Sequence, residues 1–324
     1  MSLALLNEIE HYRRLFMDAG FWRPYVKAAL RKVGLPCQRV RSGIPGTFPT
    51  FIVDDRFVIK LYGRLFDGEG SYLAELHANR LIQQDPSLPA PALVAKGALE
   101  EIGADWTWRF LVFEYLDGVS IGEAWEGLST ESKQDMAQEL GGIIRRLHSI
   151  PPGRGAGFLP ERGDFRGFLD QQRSNCAARL RHAEGVPAWV LKQAQAFLMP
   201  ADELIGGQPV YLIHADLTRD HLLGRVEAGG WHSLGLIDFG DARLGNILYE
   251  LVALHLDLFQ RDRRLLEAFL KAYGLDACFD FARRAMNMTL LHEFGAEILV
   301  DLFQRFPELA QVGSLEALSA EVWE

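Results

Sequence analysis

The sequence predicts an α+β fold in two lobes, a small β-rich N-terminal lobe over residues 1–115 and a larger, mainly α-helical C-terminal lobe over residues 116–324. Short apolar runs bounded by turn residues are concentrated in the first third of the chain, as expected for a small sheet. After Asp117-Gly118, apolar residues recur every three or four positions, which indicates amphipathic helices. Two short apolar runs that end just before Asp216 and Asp238 interrupt this helical part and predict two strands.

The first lobe is predicted to contain leading helices, a small antiparallel sheet and one further helix. Leu5 to Val33 is predicted to be helical, with a break at Gly20 or Pro24. Arg41 to Thr50 is a turn-rich connector, because it holds two glycines and two prolines. The remaining predicted elements are a hairpin of Phe51–Val53 and Phe57–Ile59 around Asp54-Asp55, a helix at Tyr72–Gln84, and strands at Leu93–Leu99 and Trp106–Tyr115.

In the second lobe, Ser129-Thr130 is a suitable cap for a helix whose apolar residues are three and four positions apart. This apolar face comprises Met136, Leu140, Ile143, Ile144 and Leu147. Further helical tracts are predicted at residues 164–182 and 188–205. Nearly continuous helix is predicted from Leu248 onward.

Composition limits the classes of function. The 324 residues are 48% hydrophobic and 24% charged, which is ordinary for a globular protein. A net charge of −9 argues against nucleic acid as the main partner, and no apolar stretch is long enough for a membrane helix. The N-terminus has early acidic residues and is predicted to be a helix rather than a signal peptide. Three cysteines, Cys37, Cys176 and Cys278, form no zinc or disulfide pattern, so a reducing cytoplasm is expected.

The two aspartates that follow the short strands indicate phosphoryl transfer. A strand that ends directly before an acidic residue delivers that carboxylate to a loop. Two carboxylates placed in this way suit a reaction in which one lies near an attacking hydroxyl and the other binds the magnesium that bridges the phosphates. Asp216 and Asp238 are therefore the first candidates for site residues.

Five segments occur along the chain in a recognisable order: Val58-Ile59-Lys60, Phe110 to Gly118, Leu140 to Pro151, His214-Ala215-Asp216 and Ile237 to Gly240. Together they resemble the aminoglycoside phosphotransferase and choline kinase superfamily, the small-molecule relatives of protein kinases. In that family the corresponding segments are, in the same order, the strand lysine, the strand and segment against which adenine lies, the helix before the catalytic region, the catalytic segment and the metal-binding segment. The resemblance extends from about Phe51 to about Leu258 and implies a protein-kinase-like bilobal fold.

The resemblance implies a role for each of these residues, with ATP as phosphate donor. Lys60 is expected to contact the α- and β-phosphates and to be oriented by a helix glutamate. Glu75 is the preferred glutamate, since Glu69 precedes Gly70 and is not expected to be helical. Backbone from Glu114 to Leu116 is expected to bind adenine. Asp216 is expected to act as the base, and Asp238 to bind Mg²⁺ through hard oxygen ligands.

One position departs from the family pattern. Five residues after Asp216, where the family normally has an asparagine that binds the second metal, this chain has His221. Imidazole is a poor ligand for Mg²⁺ and a better one for Mn²⁺. The sequence leaves open a metal bound by His221, a site in which Asp220 compensates, and a weakened enzyme; retained activity is the favoured interpretation.

Arg219, three residues beyond Asp216, has two interpretations. Its guanidinium suits stabilisation of the γ-phosphate during transfer. Alternatively, it is a surface arginine paired with a neighbouring acid. Glu250 is expected to hold the backbone of the catalytic loop, and His148 is expected to be structural.

The sequence leaves two alternative functions to consider. A degenerate kinase fold that binds nucleotide without turnover is supported by His221. A non-haem iron oxygenase would use His214 and Asp216 with His255 or His292 as the third ligand. A protein kinase is disfavoured, because Asp238 to Tyr249 is too short to form a platform for a peptide substrate.

The favoured acceptor is a small molecule with a hydroxyl group. The acidic residues Asp257, Glu293, Glu297 and Asp301 would attract a cationic acceptor such as an aminoglycoside, or would form the solvated faces of helices. Trp189, Tyr249 and Phe259 would stack on an acceptor or pack in the core. The sequence leaves the acceptor's identity open and is compatible with a monomer or a homodimer.

Overall fold

The computed structural model describes residues 3–100, 106–152, 160–276 and 280–324. The chain divides into two compact units. The first comprises Met1–Glu123, Asp220–Arg225 and Ser233–Asp241, and the second comprises Ala124–Arg219, Val226–His232 and Ala242–Glu324. The predicted boundary after residue 115 stays a prediction. Cys278 lies outside the described residues, and Cys37 and Cys176 are free thiols.

The first unit is built around a five-stranded antiparallel sheet in the order β1-β2-β3-β5-β4. A 3₁₀ turn at Leu3–Asn7 precedes its helices. The strands are β1 (Val40–Ser42), β2 (Thr50–Val53), β3 (Phe57–Tyr62), β4 (Leu93–Leu99) and β5 (Trp108–Glu114), and the helices are α1 (Ile9–Leu15), α2 (Ala19–Lys32) and α3 (Gly68–Ile82).

The three central strands, β2, β3 and β5, are largely buried on both faces, because helices cover each side of the sheet. On one face, Trp22 and Val26 of α2 belong to one apolar cluster with Phe51, Ile59 and other inward residues of the strands. On the other face, Tyr72 and Leu76 of α3 belong to a second cluster with Tyr62, Leu111 and Phe113. Because side chains alternate along a strand, Ile59 and Leu61 enter the first cluster, whereas Lys60 and Tyr62 lie on the α3 side.

The predicted break in the leading helices was misplaced. The chain leaves α1 at Phe16 and begins α2 after Asp18, whose carboxylate accepts hydrogen bonds from the backbone N–H groups of Gly20 and Phe21. An aspartate cap satisfies two N–H groups that the new helix leaves open, so the helix starts there. Pro24 is accommodated inside α2.

Helix α3 starts earlier than predicted. Asp67 adopts a left-handed backbone (φ 53°) and its carboxylate caps the helix at Gly70. Glu69 is therefore helical, contrary to the expectation from Gly70, and its carboxylate pairs with Arg109 at 3.2 Å. The capping aspartate outweighs the low helix propensity of the glycines.

Beyond β5 the strands are short. They are β6 (Val119–Ser120), β7 (Tyr211–Ile213), β8 (Leu222–Glu227), β9 (Gly230–Leu236) and β10 (Arg243–Gly245). The predicted strands before Asp216 and Asp238 are confirmed as β7 and β9, but they belong to different sheets: β7 pairs with β10, and β9 lies in a sheet of order β6-β8-β9. β8 was not predicted.

The second unit is helical. Its helices are α4 (Ile121–Ala124), which starts in the first unit, α5 (Thr130–Ser149), α6 (Pro160–Gly163), α7 (Phe165–His182), α8 (Ala188–Phe197), α9 (Ala201–Ile205), α10 (Ile247–Ala253), α11 (Arg263–Tyr273), α12 (Phe281–Leu291), α13 (Gly295–Arg305) and α14 (Leu315–Trp323). Short 3₁₀ turns of this unit lie at Trp125–Gly127 and Pro307–Gln311, and a π-helical turn at Leu254–Leu258 follows α10. A further 3₁₀ turn, Phe239–Asp241, belongs to the first unit.

The predicted cap of α5 is confirmed, since the Ser129 hydroxyl accepts a hydrogen bond from the Ser132 N–H. Helices α5 and α11 approach each other closely at Gly141, which has no Cβ. A Cβ at this position would lie only 2.5 Å from the Phe269 carbonyl oxygen. The nearly continuous helix predicted from Leu248 onward is present as separate helices: Gly274, with φ 86°, ends α11, and Pro307 starts a 3₁₀ turn. Pro200 likewise divides the predicted helix 188–205. No helix among the described residues is both long and apolar enough to cross a bilayer.

Candidate functional site

Lys60 is buried in the middle of β3, where it is only 5% exposed. In the sheet register, Lys60 lies opposite Thr50 of β2 and Leu111 of β5, so β3 is held by a neighbouring strand on each side. A buried ammonium needs anionic partners, since burial without them costs several kcal/mol or more. Lys60 has two.

The partners of Lys60 are one helix glutamate and one loop aspartate. Nζ of Lys60 donates to Oε2 of Glu75 on α3 at 3.0 Å and to Oδ1 of Asp238 at 2.5 Å. The hydroxyl of Tyr62, two residues along β3, also donates to Oε2 of Glu75. The glutamate preferred on sequence grounds is thus the one that Lys60 contacts. Tyr62 was missed, although its position on the same strand face as Lys60 was a usable signal.

The electrostatics of this group favour a charged lysine. Burial works against the ammonium form, but the carboxylates of Asp238 and Glu75 raise the pKa of Lys60 above its ordinary value. Burial also raises the pKa of Glu75, while Lys60 lowers it. The pKa of the Tyr62 hydroxyl is raised by burial and by the neighbouring Glu75 carboxylate. Tyr62 therefore acts as a hydrogen-bond donor.

Asp238 follows β9 and adopts a left-handed backbone conformation, with φ 63°. Its Oδ1 also accepts a hydrogen bond from the Gly240 N–H at 3.4 Å, and its Oδ2 lies 3.9 Å from Nε2 of His221. A Cβ placed on Gly46 would lie 3.9 Å from Oδ2, so the β1–β2 loop (residues 43–49) passes close to this carboxylate. His221 and Asp238 are therefore brought together, as a shared role in metal binding would require.

Asp238 and His221 do not make a complete metal site. Among the residues that the structure describes, no group of three or more histidine, cysteine, aspartate or glutamate side chains is arranged to hold a metal ion. The carboxylate of Asp238 supplies the hard oxygen that Mg²⁺ prefers, whereas His221 supplies a nitrogen. The donor set fits a divalent ion that takes its other ligands from phosphate or water.

A cavity of about 510 Å³ lies in the first unit, next to this charged group. Its walls are formed by the β1–β2 loop, the segment Glu114–Leu116, and Lys60, His221 and Asp238. The volume falls within the range of small-molecule and cofactor sites. Lys60, Glu75, Glu114, Leu116, His221 and Asp238, all predicted from the sequence, thus line one cavity.

The backbone of Leu116 has a feature suited to a ligand. Its carbonyl accepts a hydrogen bond from Gly118, but its N–H has no partner among the residues that the structure describes. The neighbouring N–H groups of Glu114 and Tyr115 are bound by the carbonyls of Ala92 and Arg56. The Leu116 N–H is therefore the donor in this segment that remains for a bound molecule.

Two features near the cavity were missed in the sequence. Arg41 of β1 binds the Asp55 carboxylate at 3.0 Å, and its guanidinium lies 5.5 Å from the centre of the Tyr115 ring. Tyr12 of α1 donates to the carbonyl of Thr47, within the β1–β2 loop, at 2.6 Å. Both contacts join segments distant in sequence, and no local pattern indicates them.

Asp216 lies in the second unit, in the loop after β7. The preceding residue, Ala215, has φ 70°, which is unusual for a residue with a Cβ. Glu250 of α10 accepts hydrogen bonds from the N–H groups of Ala215 at 2.8 Å and His214 at 3.3 Å. Glu250 therefore holds the backbone of this loop, as the sequence predicted.

Arg219 lies in an ion pair. Its backbone N–H donates to Oδ1 of Asp257 at 2.9 Å, and its Nε lies 3.5 Å from the same oxygen. Two other acidic residues considered for a cationic acceptor are also paired: Glu293 with Arg243 at 3.5 Å and Asp301 with Arg305 at 2.9 Å. The three aromatic candidates pack internally: Phe259 and Tyr249 are buried, and Trp189 donates to the Ala310 carbonyl.

The histidines considered for an iron site already bond to the backbone. Nε2 of His255 lies 2.8 Å from the Val322 carbonyl oxygen, and Nε2 of His292 lies 3.2 Å from the Ala215 carbonyl oxygen. His148 is buried and stacked on Tyr211, with ring centroids 4.2 Å apart, which fits its expected structural role. These contacts leave no described histidine set suited to a facial triad.

Comparison with known proteins gives both a family and a fold. Residues 38–287 match the phosphotransferase enzyme family. Homoserine kinase of Pseudomonas aeruginosa is 35% identical over 123 residues, which are 35% of this chain and 33% of that protein. A lysine-specific demethylase of Arabidopsis thaliana is 22% identical over 301 residues, 76% of this chain and 31% of that protein. The chain thus spans about a third of the length of these curated relatives.

Solved structures resemble about nine-tenths of the chain at low sequence identity. The GDP complex of aminoglycoside 2'-phosphotransferase-IIIa has a TM-score of 0.66 at 18% identity, covering 91% of this chain and 97% of that one. A microcompartment-associated aminopropanol kinase has a TM-score of 0.53 at 15% identity, covering 89% and 96%. The predicted α+β, protein-kinase-like fold is confirmed. The match over residues 38–287 shows that the chain belongs to the phosphotransferase enzyme family.

Proposed function

We propose that this protein is an ATP-dependent phosphotransferase that moves the γ-phosphate of ATP to a hydroxyl group of a small molecule. Its family membership supports phosphoryl transfer. The observation that carries the nucleotide assignment is the buried ammonium of Lys60, bound to Glu75 and Asp238 beside a cavity of about 510 Å³. A fixed cation of this kind is suited to the negative charge of phosphates.

The cavity suggests how the nucleotide binds. Lys60 contacts the phosphates and Glu75 orients it, while the Leu116 N–H and the backbone of Glu114 bind the adenine ring. Structures similar in fold are complexes with GDP, ADP or ATP, which supports a purine nucleotide as donor. The β1–β2 loop, which passes near Asp238, covers the phosphates with backbone N–H groups.

Asp238 binds Mg²⁺, with His221 or Asp220 as a second protein ligand. The metal supplies charge neutralisation at the phosphates when it is bound. Because His221 contributes a nitrogen, Mn²⁺ is expected to serve as well as Mg²⁺ or better. The proximity of His221 Nε2 to Asp238 Oδ2, 3.9 Å, supports a shared metal.

Asp216 accepts or orients the proton of the acceptor hydroxyl, which is the task of a loop carboxylate in phosphoryl transfer. Arg219 stabilises the transferred phosphate if its guanidinium is released from Asp257; otherwise the ion pair makes it a structural residue. The acceptor is a small hydroxyl compound, supported by relatives named homoserine kinase and aminopropanol kinase. An amine on the acceptor is compatible with the net charge of −9.

A second candidate is a nucleotide-binding protein without turnover. The feature that favours it is His221, since a nitrogen ligand is suboptimal for Mg²⁺. Such a protein would bind nucleotide in the same cavity beside Lys60 but would not transfer phosphate. The oxygenase alternative has less support, because His255 and His292 are bound to backbone carbonyls.

The test is an ATP-consumption assay over a panel of hydroxyl-bearing amines, amino acids and sugars, with Mg²⁺ and Mn²⁺ compared. One acceptor should stimulate ATP consumption, and Asp216→Ala should abolish the stimulation. Asp202→Asn, at an exposed aspartate paired with Arg166, is the matched control and should behave as wild type. Binding of ATP with no acceptor-stimulated turnover in either metal would favour the second candidate. Iron-dependent consumption of 2-oxoglutarate would instead support an oxygenase.

A further inference from the structure

The peptide that precedes the proposed catalytic aspartate is strained. Ala215 has φ 70°, in the left-handed region that residues with a Cβ rarely occupy. It is buried and lies directly before Asp216. A strained residue persists only when its surroundings hold it in place, and such residues are concentrated at functional sites. The contacts of Ala215 therefore contribute to the direction of the Asp216 backbone, together with the hydrogen bond from the Asp216 N–H to Nδ1 of His214 at 3.4 Å.

Both polar groups of the Ala215 backbone are held by buried side chains. Its N–H donates to Oε2 of Glu250 at 2.8 Å, and its carbonyl oxygen lies 3.2 Å from Nε2 of His292. The second contact joins positions 77 residues apart. His292 also lies beyond residues 38–287, the part of the chain that matches the family, so the match assigns it no role.

His292 is itself fixed in one orientation. Its Nδ1 accepts a hydrogen bond from the Phe294 N–H at 3.2 Å, so Nε2 carries the proton that the Ala215 carbonyl accepts. Its ring stacks on Tyr249, with centroids 4.4 Å apart and planes at 19°. Arg179 donates to the His292 carbonyl at 2.7 Å and fixes the main chain. Burial lowers the pKa of His292 to about 3, so the ring stays neutral.

We propose that His292 is a positioning residue for phosphoryl transfer: its Nε2–H holds the carbonyl of Ala215 opposite Glu250, and the strained peptide between them orients Asp216. This role rests on the proposed function of Asp216. This role distinguishes His292 from the buried His148 and His255, whose hydrogen bonds are made away from the loop that holds Asp216. His214 lies within that loop, and its Nδ1 accepts a hydrogen bond from the Asp216 N–H at 3.4 Å. His292 does not touch the reacting groups, so its loss should affect turnover through Asp216.

Two substitutions separate the hydrogen bond from packing. His292→Phe keeps an aromatic ring against Tyr249 but leaves the Ala215 carbonyl buried without its donor; kcat should fall about tenfold to a hundredfold, with the KM for ATP nearly unchanged. His292→Gln retains an N–H donor and should recover most of kcat. In the His292→Phe background, Ala215→Gly should restore part of kcat, because glycine adopts positive φ without strain.

His255 offers a matched control. His255 is also buried, and its Nε2 lies 2.8 Å from the backbone carbonyl oxygen of Val322. The centroids of the His255 and Trp323 rings are 4.8 Å apart. Burial lowers its pKa to about 4, so it is neutral like His292. His255→Phe should reduce thermal stability by a similar amount while leaving kcat within about twofold. A full wild-type kcat in His292→Phe, or an equal loss of kcat in His255→Phe, would overturn the proposal.

Amide hydrogen exchange separates this proposal from the proposed function. In His292→Phe, exchange of the peptide spanning residues 214–217 should quicken, and in His292→Gln it should not. If the wild type showed no acceptor-dependent turnover, the proposed function would fail, and unchanged exchange in His292→Phe would independently reject the positioning role. Loss of kcat with unchanged exchange would also reject it.

Discussion

Two buried glutamates, Glu75 and Glu250, show how partners decide the protonation of a carboxyl group. Glu75 has a lysine and a tyrosine as partners, and Lys60 offsets part of the effect of burial. Glu250 instead accepts hydrogen bonds from backbone N–H groups of His214 and Ala215. Burial and, to a lesser extent, the charge of Asp216 raise the pKa of Glu250 to about 7. Glu250 should therefore titrate near neutral pH.

Replacing Glu250 by glutamine tests this titration. Because the folded-state pKa of Glu250 is raised above its ordinary value of 4.5, its protonated form stabilises the fold, and this stabilisation is lost as pH rises from about 4.5 through about 7. The unfolding free energy of Glu250→Gln relative to wild type should thus increase by on the order of 2 kcal/mol between about pH 5 and about pH 8. Urea denaturation at each pH measures it.

Activity should follow the opposite trend. The ionised carboxylate has an acceptor oxygen for each loop N–H, so kcat of the wild type should rise as Glu250 loses its proton near pH 7. Glu250→Gln should lack this inflection and turn over more slowly at pH 8. Parallel pH profiles of kcat for the two proteins would show that Glu250 does not titrate in this range.

His221 lies 3.9 Å from Asp238 (Nε2 to Oδ2), and its substitution has a defined outcome. Asparagine at position 221 would offer an amide oxygen instead of a nitrogen near Asp238, so His221→Asn should keep or raise Mg²⁺-dependent turnover and lower the ratio of Mn²⁺ to Mg²⁺ activity. Steady-state kinetics in each metal measures this ratio. A collapse of turnover in both metals would show that the imidazole has a dedicated role.

At the scale of elements, the sequence predicted best where local chemistry and tertiary packing agree. The alternation of β3 puts Lys60 among apolar residues, and the spacing to α3 brings Glu75 to it; both could be inferred from the sequence. The start of α3 could have been predicted from Asp67, but Gly68 and Gly70 weakened the helical pattern. β8 contains Gly224 and two charged residues, and its pairing with Val119–Ser120 depends on contacts between distant segments.

The parts of the site that the sequence did not predict are long-range contacts. Tyr12 meets Thr47 across 35 positions, and His292 meets Ala215 across 77. Neither residue belongs to a short motif, since tyrosine in an amphipathic helix and histidine at a helix end are ordinary. The acceptor residues could not be predicted either, because acids and aromatics on helices serve packing and ion pairing as readily as binding. Asp257, Glu293 and Asp301 illustrate this, since each pairs with an arginine.

Helix α1 lies before the part of the chain that matches the family, yet it contacts the β1–β2 loop. Tyr12 donates to the Thr47 carbonyl, and next to these two elements Ser42 of β1 donates from its hydroxyl to the carbonyl of Met17, which follows α1, at 2.8 Å. The Tyr12 ring is buried, and its centroid lies 5.8 Å from that of the Phe16 ring and 5.6 Å from that of the Phe66 ring. These contacts restrain a loop that lines the cavity, so α1 should influence nucleotide binding.

Tyr12→Phe removes one hydrogen bond to this loop while keeping the ring. The KM for ATP should rise about threefold to tenfold with little change in kcat, since a lost hydrogen bond to the backbone is worth roughly 1 kcal/mol. Tyr25→Phe, the same change on α2, is the control and should leave the KM unaltered. An unchanged KM in Tyr12→Phe would show that α1 contributes to stability alone.

At the scale of the whole molecule, the acidic balance does not identify the acceptor. The net charge of −9 is compatible with a cationic substrate. However, acidic residues raise the local concentration of cations only where they are concentrated in a cleft. Three of the four acids considered for this purpose are neutralised by arginines. The acceptor is therefore better sought by a panel that varies charge than by a panel of amines alone.

Binding of the nucleotide should stabilise the folded protein independently of catalysis. A ligand that binds only the folded state raises the unfolding free energy by RT ln(1 + [L]/Kd), about 2.7 kcal/mol at a hundredfold excess over Kd. ATP with Mg²⁺ should therefore raise the melting temperature of the wild type and, to a similar extent, of Asp216→Ala, which is expected to lack turnover.

Lys60→Met should lose most of this ATP-induced rise in melting temperature. Because burial already raises the pKa of Glu75, its carboxyl can take up a proton when the lysine is absent, which limits the cost to folding. Differential scanning fluorimetry measures all three proteins, and an equal ATP-induced shift in Lys60→Met would show that the nucleotide binds elsewhere than beside Lys60.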